Sequence, residues 1–219
     1  FGSDGNGVPR IKRFLSELRK SGITPMTIWK YEDVGHSQDA SKALKNLFDD
    51  NMIFDYPKPV DLVKRAINLY SDKNDIILDF FSGSATTAQA VMQLNAEDGG
   101  KRKYILVQIP EIIKEDKAAY KIGYRTIDEI GRERIKRASK KIQQDTGADI
   151  DYGFKTYFLE NLKEDILSNM YYFDEGIKSK ENDMVGNFDT KNSKGKDAIL
   201  SAYLILDGYG LAVDTEEYQ

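Results

Sequence analysis

No cysteine occurs anywhere in the chain, so disulfides and thiolate metal sites are excluded. A cysteine-free sequence agrees with an intracellular protein. The single histidine, His36, leaves little room for an imidazole-based metal centre, and no metal ligand is assigned. No apolar run approaches the roughly 18 residues of a membrane span. No secretory pattern opens the chain. The expectation is a cytoplasmic protein without membrane association. Nor is there a large excess of one charge, since 32 basic residues face 36 acidic ones for a net charge of −4. That balance neither requires nor excludes a nucleic-acid partner, which needs only a local basic surface. Hydrophobic residues at 40% and charged ones at 31% fit a globular chain rather than a disordered one. The first residue is Phe1, not methionine, and the glycine-rich opening reads as the middle of a longer protein. The chain is therefore expected to be a fragment.

What is present is organised around residues 75–92. Ile76-Ile77-Leu78 is a short apolar run of the length of a buried strand. Asp79 stands at its carboxyl end, followed by the small residues Ser82-Gly83-Ser84-Ala85, which let backbone approach a ligand closely. Thr86 and Thr87 are residue types that cap a helix, whose core side would be Ala88, Val91, Met92 and Asn95. Strand, small-residue turn and helix start make the ligand-binding end of an open α/β sheet. The helix start offers N–H groups and partial positive charge.

The flanks read more simply. Ile11, Phe14, Leu15 and Leu18 predict an amphipathic helix edged with basic residues. Residues 23–29 are extended, with Trp29 as a packing anchor, and His36 is a structural hydrogen-bonder before a helix ending near Phe48. In Phe54-Asp55-Tyr56-Pro57-Lys58-Pro59 the two prolines impose extended backbone. Leu62, Val63, Ala66, Ile67 and Tyr70 then form a helical stripe. Lys103 to Pro110 is the second strand candidate. In open α/β cofactor folds the end of the second strand carries a group for ribose hydroxyls. Gln108 stands there and Glu111 lies three residues later; both stay open, with Gln108 slightly ahead.

Residues 112–125 read as irregular. Thr126 and Glu129 have capping-box spacing before a helix whose pattern is Ile127, Ile130, Arg134, Ile135, Ala138 and Ile142, ended by Gly147. Its basic residues Arg132, Arg134, Lys136, Arg137, Lys140 and Lys141 read as a solvated face, or one turned toward DNA or a subunit. Aromatic content predicts a strand over 152–159. Residues 180–197 read as a loop, and 198–206 fit helix or strand equally.

Asp79-Phe80-Phe81-Ser82-Gly83-Ser84-Ala85-Thr86-Thr87 resembles the S-adenosylmethionine motif of amino-methylating DNA methyltransferases, D-x-F-x-G-S-G-T-T. The run through Gln93–Gly100 and Tyr104–Glu111 is similar to modification subunits of type III restriction–modification systems, the permuted class of adenine-N6 methyltransferases. So are Pro9-Arg10, Phe14-Leu15, Thr27-Ile28-Trp29 and Val34-Gly35-His36. The resemblance spans residues 1–160 closely and the tail loosely.

It implies an α/β, Rossmann-like S-adenosylmethionine-dependent methyltransferase fold, incomplete in this fragment, with a small α+β C-terminal region. Residues 1–50 would link from a target-recognition region, 51–148 would hold the cofactor, and 149–219 would form the tail. The implied cofactor contacts are Asp79, Phe80, Phe81, Ser82, Gly83, Ser84, Ala85, Thr86 and Thr87, with Lys58 and Phe54 from the second cofactor motif and Gln108. The implied partners are double-stranded DNA, a restriction subunit and a second modification subunit.

The family's Asp-Pro-Pro-Tyr segment, which holds the target amine and base, has no counterpart here. The five prolines are Pro9, Pro25, Pro57, Pro59 and Pro110, and none fits. No catalytic residue is assigned, and the fragment alone is expected to be inactive. Ala85 stands where the family usually has glycine, which is unfavourable if the site needs positive φ. Two other readings compete: a nicotinamide or flavin oxidoreductase with a variant glycine turn, and a non-catalytic module for subunit assembly or DNA positioning.

Overall fold

The computed structural model describes residues 25–159, 185–189, 194–210, 213 and 215. The helix expected over residues 10–20 lies outside them. The chain divides into two units, Phe1–Tyr152 and Gly153–Gln219.

In the first unit, α1 (Tyr31–Val34) and α2 (Ser37–Leu47) precede α3 (Val60–Tyr70), β1 (Ile76–Asp79), α4 (Thr86–Asp98), β2 (Lys103–Leu106), α5 (Ala118–Lys121) and α6 (Ile127–Thr146). The order β1–α4–β2 is a crossover unit. Its strands are parallel, with Ile76 opposite Lys103 and Asp79 opposite Leu106. Parallel strands need such a connection, and here a helix provides it.

Helix α4 is buried nearly all round. Ala88, Ala90, Val91, Met92 and Leu94 lie in the core, and α3, α6 and β2 pack against it. Asn95, the polar residue of that buried side, is satisfied: its amide donates to the Arg102 carbonyl at 2.9 Å and its carbonyl accepts the Arg102 N–H at 3.1 Å. The Arg102 guanidinium reaches back to Asp98 at 3.0 Å and Ser71 Oγ at 3.3 Å. These bonds close the α4–β2 turn and so hold the strand register.

The sheet is two-faced. Ile77 and Tyr104 pack with Ile67, Ala90, Val91 and Leu94. Ile76, Leu78 and Ile105, which alternate with them, are exposed. Period-two alternation makes this division automatic once one face meets α4.

The smaller expectations divide. His36 caps α2, its Nδ1 accepting the Gln38 N–H at 3.2 Å. Trp29 is half-buried beneath the Arg65 guanidinium, 5.2 Å from the ring centroid. The capping box of Thr126 and Glu129 forms, and Gly147 ends α6 in the left-handed conformation. The irregular reading of residues 112–125 was too coarse: α5 lies within it, and Ile112 forms an antiparallel bridge with Thr126. Local charge hides this order, because long-range pairing creates it.

In the second unit a 3₁₀ turn (Gly186–Phe188) precedes α7 (Gly195–Leu206), which resolves the ambiguity over 198–206 as helix. Helix α7 begins inside the expected loop. Gly195 donates its N–H to Asp189 Oδ1 at 2.6 Å, and a Cβ there would fall 1.9 Å from the Val185 carbonyl. Only glycine fits so close an approach. The strand expected over 152–159 is a correction: the segment has no regular structure. Aromatic content favours a strand only where a second strand pairs with it.

Candidate functional site

The turn after β1 is built by main-chain bonds. The ladder continues one step past the strands, with the Val107 N–H donating to the Asp79 carbonyl at 2.8 Å and the Ser82 N–H to the Val107 carbonyl at 3.2 Å. The Ala85 N–H then donates to the Ser82 carbonyl at 2.7 Å. Gly83 has φ +50° and Ala85 φ +60°, ψ 38°. A left-handed non-glycine residue costs roughly 1–2 kcal/mol, so the positive φ that disfavours alanine is present at Ala85.

Asp79 organises the turn from inside. One carboxylate oxygen accepts the Phe81 N–H at 3.1 Å, and the other accepts the Thr87 hydroxyl at 2.6 Å. Gln108 ties the second strand to the same turn, its Oε1 accepting the Gly83 N–H at 2.7 Å. Glu111 makes no comparable bond to the turn; its main chain pairs with Ile109 and Ile127. The Phe54 ring packs on Gly83: a Cβ there would sit 3.4 Å from Phe54 Cζ. The Lys58 carbonyl lies 3.5 Å from Thr86 Oγ1, while its ammonium is exposed with no partner among the described residues. Phe54, Lys58 and Gln108 thus meet the 79–87 turn at the carboxyl end of β1, and Glu111 does not.

The threonines do not cap. Ala85 is the N-cap of α4 and makes no side-chain cap bond. Thr86 and Thr87 are the first helical residues, and their hydroxyls turn to Lys58, Asp79 and Arg134 instead. Without a capping side chain, the first N–H groups of α4 remain available to a ligand.

Beneath the turn lies a residue that spacing assigns to the apolar pattern of α6 and charge to its basic face. Arg134 of α6 is 3% exposed. Its Nη1 donates to Thr86 Oγ1 at 2.7 Å, Ser84 Oγ at 2.8 Å and the Ser84 carbonyl at 3.3 Å, and its Nε donates to Gln89 at 3.0 Å. Burial pushes the guanidinium down to about 10, so it stays charged at neutral pH. One helical turn earlier, Gly131 packs under the loop, where a Cβ would lie 3.5 Å from Ala85 Cβ. The signal for Arg134 was its position in the apolar stripe of Ile130, Ile135, Ala138 and Ile142, all buried. Other charges of α6 are spent in pairs: Arg132 with Asp128, Arg137 with Asp49 and Glu133, and Lys141 with Asp145.

The N–H groups of Phe81, Ser82, Gly83 and Ala85 are taken up inside the protein, the first N–H groups of α4 carry no side-chain cap, and Phe80 and Phe81 stand exposed at the rim. No cluster of His, Cys, Asp and Glu among the described residues could hold a metal ion.

A family model described as DNA methylase matches residues 8–121. The chain belongs to that family. Among curated members it is 35% identical to the Mod subunit of the type III restriction–modification enzyme StyLTI of Salmonella typhimurium, over 99% of this chain and 36% of that protein. It is 33% identical to the EcoPI Mod subunit of Escherichia phage P1, over 98% of this chain and 32% of that protein. The Escherichia coli EcoP15I Mod subunit is 31% identical, over 99% of this chain and 31% of its own length. The chain thus spans about a third of each of these relatives. The likeness runs through the tail as well, beyond the close resemblance expected for residues 1–160. No helix among the described residues is long and apolar enough to cross a membrane.

Proposed function

We propose that this chain is the cofactor-binding part of a site-specific DNA methyltransferase, the modification subunit of a type III restriction–modification system, acting on adenine N6 in the cytoplasm. The observation that carries the reading is the turn from Asp79 to Thr87, with Phe54, Lys58 and Gln108 gathered on it at the end of a parallel strand. Family membership and the three Mod-subunit relatives support it. The finer fold in this reading is Rossmann-like, with β1 and β2 as neighbouring strands beside the ligand crevice.

S-adenosylmethionine, when bound, supplies a methyl group already activated by its sulfonium, so the protein's task is orientation. Here the α4 start would receive the amino-acid end, with Gly83, its N–H held by Gln108, allowing close approach of the ligand. Lys58 would pair with its carboxylate, Phe54 would pack beside the ligand, and Gln108 would hold the turn against the second strand. Phe80 and Phe81 would meet the ligand at the rim. The target base must leave the duplex for its amine to reach the methyl group. No Asp-Pro-Pro-Tyr segment to receive that base occurs in these 219 residues, so the chain alone binds the methyl donor without methylating DNA. The partners in this reading are double-stranded DNA, a restriction subunit and a second modification subunit.

Calorimetric titration with S-adenosylmethionine and S-adenosylhomocysteine tests it. Asp79→Ala should weaken binding about tenfold, since two loop bonds to a charged acceptor are lost. A folded chain that binds a nicotinamide or flavin dinucleotide and not these ligands would be an oxidoreductase. One that binds neither, while retaining DNA or subunit contacts, would be an assembly module.

A further inference from the structure

A buried cation ordinarily has an anionic partner, because desolvating a charge is costly. Arg134 has none: among the described residues it makes no ion pair, and its four acceptors are neutral oxygens of Ser84, Thr86 and Gln89. Its location adds to the cost. It touches the first residue of α4, where the helix dipole carries partial positive charge of the same sign. The carboxylate built into the turn, Asp79, is taken up by the Phe81 N–H and the Thr87 hydroxyl. Burial, the helix end and the absence of an ion pair all concentrate uncompensated positive charge below residues 84–86. The same guanidinium grips Ser84 and Thr86, the two neighbours of the left-handed Ala85.

We propose that Arg134 is a positioning residue of the cofactor site, whose buried charge draws the carboxylate of the ligand's amino-acid end onto the start of α4. The assignment rests on the cofactor reading of the loop. It distinguishes a charge that selects a carboxylate from a staple that only shapes the turn. A staple supports every ligand of the loop equally. A charge favours ligands that bring the anion.

Two probes separate these roles. S-adenosylhomocysteine carries the amino-acid end, and 5′-methylthioadenosine keeps the adenosine and sulfur without it. Calorimetric titration of the chain and its R134M variant, with thermal melts as the control for folding, reads the ratio of the two affinities. The expected result is about a tenfold loss for S-adenosylhomocysteine and little change for methylthioadenosine, as for loss of a charge-assisted contact. Equal weakening of both ligands, or no weakening of either, overturns the proposal. If R134M does not fold, R134Q removes the charge while keeping an amide donor for the same neutral oxygens. A selective loss of about tenfold for S-adenosylhomocysteine would then support the assignment, and a loss shared by both probes would overturn it. Wild-type chain that binds neither probe removes the cofactor reading itself. Wild-type binding with an unaltered ratio in the variants removes only the role of Arg134.

Discussion

Inner and outer halves of the Asp79–Thr87 turn are close in sequence and opposite in environment. Ser84, Ala85 and Thr86 are buried against α6 and Thr87 against Asp79, with Ala85 2% exposed, whereas Phe80 and Phe81 are 64% and 85% exposed. The inner side chains are therefore occupied in holding the loop, and they offer a ligand chiefly backbone. The rim offers side chains. The sheet repeats the contrast, with Tyr104 packed toward α4 and its neighbour Ile105 open. A motif can thus divide into a part that sets shape and a part that makes contact.

The largest test of that division is Thr86→Val. It removes a hydroxyl that Arg134 holds at 2.7 Å inside the protein. Losing the shortest of the three bonds of Arg134 Nη1, one made by a charged donor, should cost about 1–3 kcal/mol in denaturant unfolding. A cost near zero would place the inner half closer to solvent than its burial indicates. Ala85→Gly should act in the opposite direction and raise stability by about 1 kcal/mol, by relieving the left-handed alanine. A loss of stability would mean that the packing of the Ala85 methyl against Gly131 outweighs its backbone strain.

Phe81→Ala sharpens the other side of the comparison. Stability should stay within about 0.5 kcal/mol, as for an exposed position, while affinity for S-adenosylhomocysteine falls. A large stability loss with intact binding would reverse the roles of rim and interior.

The smallest effect at neutral pH concerns the covered face of the sheet. Burial, and then the Asp151 charge, push the Tyr104 phenol up from 10 to about 12. The folded state therefore holds this proton more tightly than the unfolded one. The stability from this group is full below pH 10 and is lost as pH rises toward 12. Tyr104→Phe should flatten that part of the pH profile. It should leave stability at pH 7 within about 0.5 kcal/mol, because the hydroxyl has no hydrogen-bond partner among the described residues. An unchanged alkaline slope would assign the loss to other groups.

Much of the arrangement is legible in residue types. The apolar run at 76–78, the small-residue turn and the buried stripe of α4 mark a strand, a turn and a helix by period and size. The proline pair at 57 and 59 marks the extended approach to α3. Gln108 is legible through its place at a strand end, although amide chemistry alone does not separate it from Glu111. Legibility fails where one residue type serves two environments. Threonine suits a cap, yet at 86 and 87 it is a helical residue bonded across the fold. Arginine at 134 belongs by spacing to the apolar stripe and by charge to the solvated face, and only packing decided for the stripe.

The sequence by itself determined the strand–turn–helix order from β1 to α4 and the family, because period, side-chain size and motif spacing are local properties. It also held the question at Ala85, since alanine and glycine differ only if φ is positive. Tertiary structure alone decided that φ is +60° there, that the threonines face inward and that Arg134 lies beneath the loop. Each depends on how α6 packs against α4, a contact between residues about 45 apart in the chain for Gln89 and Arg134. Burial and hydrogen-bond partners at that separation follow from three-dimensional packing, which local period and composition do not encode.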